Sequence, residues 1–239
     1  MAPVLSVGEN LVSFQHRRLI PALALIAAAS GCATKPPPAP APVAVVEEVA
    51  PEELDLWRQV ATGKDQSRVE QAGTTWSQAL AQIRERGRER ELAAEEGLLD
   101  PTVRAPRPEL SPGPYRCRIV KLGRDDRGPV LVSFKPYFCY IDAEADVLTI
   151  VKQTGSQRPV GRLYTDRDDP MRLIFLGTMT LGDEEEPIPY GEDPQRDLAG
   201  VLERVAPFRW RLAIPHPGDG TIMEVMELVP AVEPATLGR

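Results

Sequence analysis

The stretch Leu198–Leu228, LAGVLERVAPFRWRLAIPHPGDGTIMEVMEL, decides the fold of this chain. Short apolar runs alternate in it with segments that carry proline, glycine and charged residues. Runs of this length that are bounded by turn residues are typical of β-strands. The stretch therefore predicts three strands, at Leu198–Val205, Phe208–Ile214 and Thr221–Leu228.

The same texture extends back from this stretch to residue 115 and predicts five further strands. These are Tyr115–Leu122, Val130–Tyr140, Val147–Gln153, Gly161–Thr165 and Arg172–Met179. Predicted turns lie at Gly123–Gly128, Asp142–Asp146, Thr154–Pro159 and Asp166–Pro170. Short strands at this spacing indicate a small antiparallel β-barrel or sandwich over residues 115–230, followed by a flexible tail at 231–239.

A helical pattern precedes the strands, over residues 52–100. Apolar residues recur there at steps of three and four, which predicts one buried helix face. The residues of this face are Val69, Ala72, Trp76, Ala79, Leu80 and Ile83. Asp65 is the expected N-cap, and a proline-rich connector at 101–114 follows. The predicted fold class is α+β, with N-terminal helices packed on the barrel or sandwich.

The first 31 residues have the pattern of a signal peptide. Basic residues precede the apolar run Leu19–Ala29, which is shorter than the roughly 20 residues that span a bilayer. Ala29-Ser30-Gly31-Cys32 resembles the lipobox of bacterial lipoproteins, in which the cysteine is lipidated and becomes the first mature residue. The alternative is an ordinary secretory signal with an incidental Cys32.

Residues 32–51 contain repeated prolines among alanine and valine and are interpreted as a semi-rigid tether. A lipidated cysteine followed by such a tether would hold a folded domain near the membrane. We therefore expect a bacterial cell-envelope protein whose membrane partner is reached through the lipid and which faces the periplasm. Ala33 stands where an aspartate would resemble an inner-membrane retention signal, which favours the outer membrane.

Charge and composition exclude several classes of function. The 239 residues carry a formal net charge of −7, which argues against nucleic acid as a partner. The chain has only 2 histidines, which leaves little room for histidine-based catalysis or a zinc site. No cofactor, metal or catalytic residue is expected.

Two cysteines, Cys117 and Cys139, remain when Cys32 is reserved for lipid. One falls in each of the first two predicted strands, so a disulfide is reasonable if those strands pair, and the oxidising envelope would preserve it. A redox pair and a pair of metal-binding thiols are the alternatives. The spacing of the two cysteines lacks the C-x-x-C pattern of either.

Arginines beside the predicted strands are candidates for binding an anionic group. Because side chains alternate along a strand, Arg209 and Arg211 share one sheet face and Trp210 takes the other. Gln157 and Arg158 open a strand, and Arg196 precedes one. The alternative is that these arginines pair with the chain's own acids and tie loops to the barrel. Those acids are Asp183, Glu184, Asp193, Asp197 and Glu203.

An ordered series of short motifs resembles a family of uncharacterised bacterial secreted proteins, domain-of-unknown-function family four-eight-nine-three. The motifs are Gly113–Arg118, Phe138-Cys139, Gly155–Pro159, Phe175–Thr178, Leu181–Glu184, Tyr190–Gly200 and Arg209–Leu212. The resemblance implies an exported protein and carries no catalytic residues.

From these features we expect a lipid-anchored, non-enzymatic binding module for an envelope protein or a small ligand. One version is a lipocalin-like pocket, which requires a hollow barrel mouth lined by apolar residues. Another is a filled barrel with a protruding segment, like a tethered protease inhibitor. The alternatives outside binding are a structural envelope component without a pocket and a carboxylate-based hydrolase.

Overall fold

The computed structural model describes residues 55–145 and 147–231, which form a closed β-barrel with four helices beside it. The helices are α1 (Leu56–Val60), α2 (Gly63–Glu70), α3 (Ala72–Glu85) and α4 (Glu89–Ala93). The first strands are β1 (Gly113–Arg124), β2 (Leu131–Ser133), β3 (Tyr137–Glu144), β4 (Val147–Lys152) and β5 (Gln157–Thr165). The remaining strands are β6 (Arg172–Leu181), β7 (Asp197–Ala206), β8 (Arg209–Pro215) and β9 (Thr221–Pro230).

The barrel closes because β1 pairs with two neighbours. From β3 to β9 each strand is antiparallel to the next, and the last strand, β9, pairs with β1 over almost its whole length. The other edge of β1 pairs with β3 near its start and with the short β2 near its end. Of the two predicted architectures, an antiparallel barrel or a sandwich, the structure has the barrel, with eight strands and with β2 extending it at one end. The described chain is mainly β, with few helices.

The predicted strand Val130–Tyr140 is wrong as a single element. The structure divides it into β2 and β3, which are separated by Phe134, Lys135 and Pro136. Proline cannot donate a hydrogen bond to a sheet, and this break lets the chain move from one half of β1 to the other. The predicted turn Thr154–Pro159 is also too long, because β5 begins at Gln157.

The interior of the barrel is filled with apolar side chains. Alternate residues of each strand point inward, as the pleat of a β-strand requires. Phe175 is fully buried, and Tyr115 packs edge-on against Trp210 with ring centroids 6.1 Å apart. Cys117 and Cys139 lie in the same core and form the predicted disulfide between β1 and β3, with a Cα–Cα distance of 6.0 Å.

The apolar face predicted for the N-terminal helices is confirmed, since all six of its residues are buried. Five of them belong to α3, whose contacts with β1, β8 and β9 cover one side of the barrel. The prediction of Asp65 as N-cap is wrong. Thr62 occupies that position, and its hydroxyl accepts a hydrogen bond from the backbone N–H of Asp65.

Several predictions concern residues outside the described part of the chain. They are the signal peptide at 1–31, lipidation of Cys32, the tether at 32–51 and the tail from residue 232 onward. Among the residues that the structure describes, no helix has both the length and the apolar character needed to cross a bilayer.

Candidate ligand site at one end of the barrel

Three of the chain's five lysines line one open pocket of about 430 Å³ at an end of the barrel. We call it the lysine pocket and define it by Lys121, Lys135, Lys152, Tyr137 and Gln157. The aromatic ring of Phe134 and the turn residues Thr154, Gly155 and Ser156 complete its wall. Lysine is rare in this chain, which has 23 arginines, so this convergence separates the pocket from the rest of the surface.

The strand register explains how the lysines reach this pocket. Lys121 follows the core residues Cys117 and Ile119 on the inward face of β1. Lys152 likewise follows Ile150 on β4. The inward rows that form the apolar core therefore end in charged groups at this end of the barrel.

Lys121 is the centre of a polar network inside the barrel end. Its ammonium donates hydrogen bonds to Asp219 and, over 3.1 Å, to the side-chain oxygen of Gln157. The same nitrogen lies 3.7 Å from Oε2 of Glu224. The positive charge of Lys121 is thus shared between two carboxyl groups.

Two buried polar atoms beside Lys121 and Lys152 have no hydrogen-bond partner within the described residues. They are Oε1 of Glu224, whose side chain is 1% exposed, and the hydroxyl of Tyr137. Buried polar atoms are almost always paired, because an unpaired one costs about 1–3 kcal/mol. These two atoms therefore mark a place where a bound molecule could complete the hydrogen bonding.

Burial changes the ionisation of both groups. It raises the pKa of Glu224 and so favours the neutral carboxyl, although Lys121 opposes this. It also raises the pKa of the Tyr137 hydroxyl, which stays a donor. Because Glu224 is pushed towards its neutral form, it cancels less of the positive charge of the lysines.

Asp219 has the opposite behaviour from Glu224. Burial opposes its ionisation, but hydrogen bonds from Lys121 and Thr221 outweigh this and lower its pKa. Asp219 is therefore the fixed negative partner of Lys121. Lys135 lies exposed at the rim, so the pocket can offer ammonium and phenol donors to a carboxylate or a phosphate.

The predicted binding residues fall into two separate groups. Gln157 lies in the lysine pocket itself, and Arg158 and Arg196 lie nearby and both contact Glu184. Arg158 donates to the backbone oxygens of Gly155, Gly182 and Glu184, and Arg196 forms an ion pair with Glu184. These two arginines join the loops beside the pocket.

The second group lies on the side of the barrel. Arg209 pairs with Glu227, and the fully buried Arg211 pairs with Glu203 and donates to the backbone oxygens of Leu98, Asp100 and Pro101. Trp210 points into the core, as its alternation with the arginines requires. The observed partners of these arginines belong to the chain itself, and anion binding by them stays a prediction.

The sequence reasoning missed Lys121, Lys135, Lys152, Tyr137 and Glu224. A signal for the first three was present, namely that lysine is scarce and that three of the five lysines fall in predicted strands. Their convergence could not be seen, because it depends on the pairing of strands that are far apart in the sequence.

Two other features of the structure are weaker candidates. Asp55, Asp166 and Asp168 bring carboxylate oxygens within 4.8 Å of one another, but ion pairs with Arg58 and Arg172 balance their charge. A cavity of about 380 Å³ lies outside the barrel against β4, β5 and β6. Most of its wall is apolar, and the two charged side chains in the wall, Arg162 and Glu144, form an ion pair with each other.

Comparisons with known proteins give a family and no function. Searches of curated proteins and of solved structures return no match to this chain. A family model described as a domain of unknown function (DUF4893) matches residues 57–228. This range contains all of the four helices except Leu56, and nearly the whole barrel. The resemblance noted from the motifs is thereby confirmed, and the chain belongs to the DUF4893 family.

Proposed function

We propose that this protein is a lipid-anchored binding module of the bacterial cell envelope, which holds a small anionic ligand in the lysine pocket. The lipobox-like Ala29–Cys32 and the proline-rich residues after it support the anchor. The family assignment is compatible with this role and adds no chemistry.

The convergence of three lysines on one pocket is the observation that carries the proposal. The chain as a whole is acidic, and its overall electrostatic field repels anions. A pocket that concentrates its few lysines attracts anions locally in spite of this field. The ligand would accept hydrogen bonds from Lys121 and Lys135 and from the unpartnered Tyr137 hydroxyl. A carboxylate or phosphate oxygen supplies the acceptors that these donors need.

The filled core limits the size of the ligand. Trp210, Phe175 and Tyr115 occupy the space that a hollow barrel would offer to a long apolar molecule. The free volume lies at the barrel end, where it suits a compact polar molecule. This favours a small ligand over the long apolar cargo of a lipocalin-like pocket.

The test is a titration of the purified protein with small mono- and dicarboxylates and with inorganic phosphate, followed by calorimetry. We expect one of these anions to bind, and Lys121→Met to weaken binding by about tenfold or more, since a charged hydrogen bond is lost. Lys135→Gln, at the exposed rim, tests the same pocket without disturbing the fold.

The matched control is Lys64→Gln on α2, because Lys64 is exposed and contacts only the backbone oxygen of Pro194 in the hydrogen bonds described. It should bind the anion as the unaltered protein does. Equal affinity in the Lys121, Lys135 and Lys64 variants, with their melting curves unchanged, would exclude the lysine pocket as the site.

A further inference from the structure

Lys152 differs from the other lysines of the pocket in being buried without an acidic partner. It ends β4, it is 9% exposed, and its Nζ donates a hydrogen bond to the backbone oxygen of Gln157. The nitrogen also lies 4.5 Å from the centre of the Tyr137 ring. Among the described residues, no carboxylate oxygen lies within 4.0 Å of this nitrogen.

The surroundings of Lys152 favour its neutral amine. Burial lowers its pKa, and the nearby positive charges of Lys121 and Arg158 lower it further, whereas Glu224 opposes the change. A neutral lysine amine in a pocket is a nucleophile, and desolvation beside other cations is a known way to produce one. Lys121 is different, because its charge is held by Asp219.

We propose that Lys152 captures a small carboxylic acid that also carries an aldehyde or keto group, by forming an imine with it in the lysine pocket. This inference rests on the proposed function and names the class of ligand. Lys121 and the rim residue Lys135 would hold the carboxylate of the ligand. Its carbonyl carbon would then face the only lysine of the pocket that is both buried and without an ion pair among the residues described.

The reaction is a balanced condensation without any redox step. The lone pair of Nζ forms a bond to the carbonyl carbon, and the electron pair of the C=O bond moves to oxygen, which takes up a proton. The resulting carbinolamine loses that oxygen as water when nitrogen forms the C=N bond, and the two protons that the amine nitrogen releases over both steps balance the two protons of the water. Glu224 is buried, has one oxygen unpartnered in the described structure and interacts electrostatically with Lys152, and it would donate and recover the proton.

The test is chemical trapping on the purified full chain. The protein is incubated with pyruvate or glyoxylate, reduced with sodium borohydride, digested and analysed by mass spectrometry. We expect the reduced adduct on the peptide that contains Lys152, at a level about tenfold or more above that on the exposed Lys64, because the lowered pKa of Lys152 leaves a larger fraction of it as the neutral amine, which is the form that reacts.

Two variants and a second ligand make the result decisive. Lys152→Arg should lose the adduct while its melting curve shows that it folds, and Lys64→Arg on α2, outside the pocket, should keep it. Even labelling of all lysines, or no labelling, would overturn the imine. In that case the binding of lactate is measured by calorimetry, because lactate has no aldehyde or keto group that could condense. Binding of lactate would support the anion site without the imine, whereas absence of binding would overturn both proposals.

Discussion

Individual residues of this protein carry a charge in buried positions, where a charge normally destabilises the folded state. Arg211 is fully buried, yet each side of its guanidinium has a partner in Glu203 or in the backbone of residues 98–101. The indole ring of Trp76 lies 4.8 Å from it. Arg211 therefore ties the connector between the helices and the strands to the barrel, as the alternative interpretation of the arginines expected.

Glu224 is the opposite case, because its partners only partly offset the cost of burying its carboxyl group. Its pKa is raised by burial, so the folded state holds its proton more tightly than the unfolded chain does. The contribution of Glu224 to stability should therefore fall as pH rises above about 4, the ordinary range of a glutamate carboxyl. Lys121, Lys152, Asp219 and Tyr137 are the ionisable groups around it.

We expect Glu224→Gln to remove this pH-dependent loss. The variant should exceed the unaltered protein in free energy of unfolding near pH 8, because a buried neutral amide replaces a carboxylate whose charge is desolvated. Near pH 4 the two proteins should be similar. Urea unfolding at both pH values measures the difference, and a variant that is less stable near pH 8 would contradict the explanation.

Glu227 provides the control on the same strand. It lies on the outer face of β9 and accepts hydrogen bonds from Arg118 and Arg209 at 2.8 and 2.6 Å. Glu227→Gln removes two ion pairs instead of a desolvated charge. It should therefore lower the free energy of unfolding near pH 8, which is the opposite sign to Glu224→Gln.

At the scale of elements, the barrel depends on one close contact between strands β5 and β6. Gly161 and Gly177 lie opposite each other, and the Phe175 ring packs over both. A methyl group on Gly177 would overlap the backbone oxygen of Val160 and lie 2.8 Å from the Cα of Gly161. Neither atom can move without bending its strand, so glycine is required here by the spacing of the backbones.

We expect Gly177→Ala to lower the free energy of unfolding by about 2–3 kcal/mol, in the range of overpacked core substitutions. Gly73→Ala is the matched control, since Gly73 lies in α3 with no atom within 4 Å of an added methyl. It should raise stability by about 0.5–1 kcal/mol through better helix propensity. Urea unfolding of both variants measures the signs, and equal effects would contradict the steric account.

The sequence predicted most helices and strands correctly but misplaced some of the points at which they begin, end or change their partner. The inward alternation of Trp210 and the buried helix face from Val69 to Ile83 follow from local periodicity, and both are confirmed. The single strand Val130–Tyr140 failed because periodicity does not reveal where a strand changes its partner. The N-cap shifted from Asp65 to Thr62 because both residue types cap helices.

At the scale of the whole molecule, the proposed anchor gives a direct expectation. Replacing Cys32 by serine should move the protein from the membrane fraction to the soluble fraction of the producing cells, because no acyl chain can be attached. Cell fractionation and metabolic labelling with a fatty acid measure this. Replacing Cys117 and Cys139 together by alanine should leave the fraction unchanged, and loss of membrane association there instead would contradict the assignment of Cys32.

What the sequence by itself determined is the class of each segment. Turn residues and apolar runs specify strands, and the stripe in α3 specifies a buried helix face, because these patterns depend on neighbours in the chain. Only the tertiary structure decided that β1 pairs with β9 to close a barrel. It alone also brought Lys121, Lys135 and Lys152 into one pocket. Contacts between such distant residues depend on which strands pair and in what register, and no local pattern records that choice.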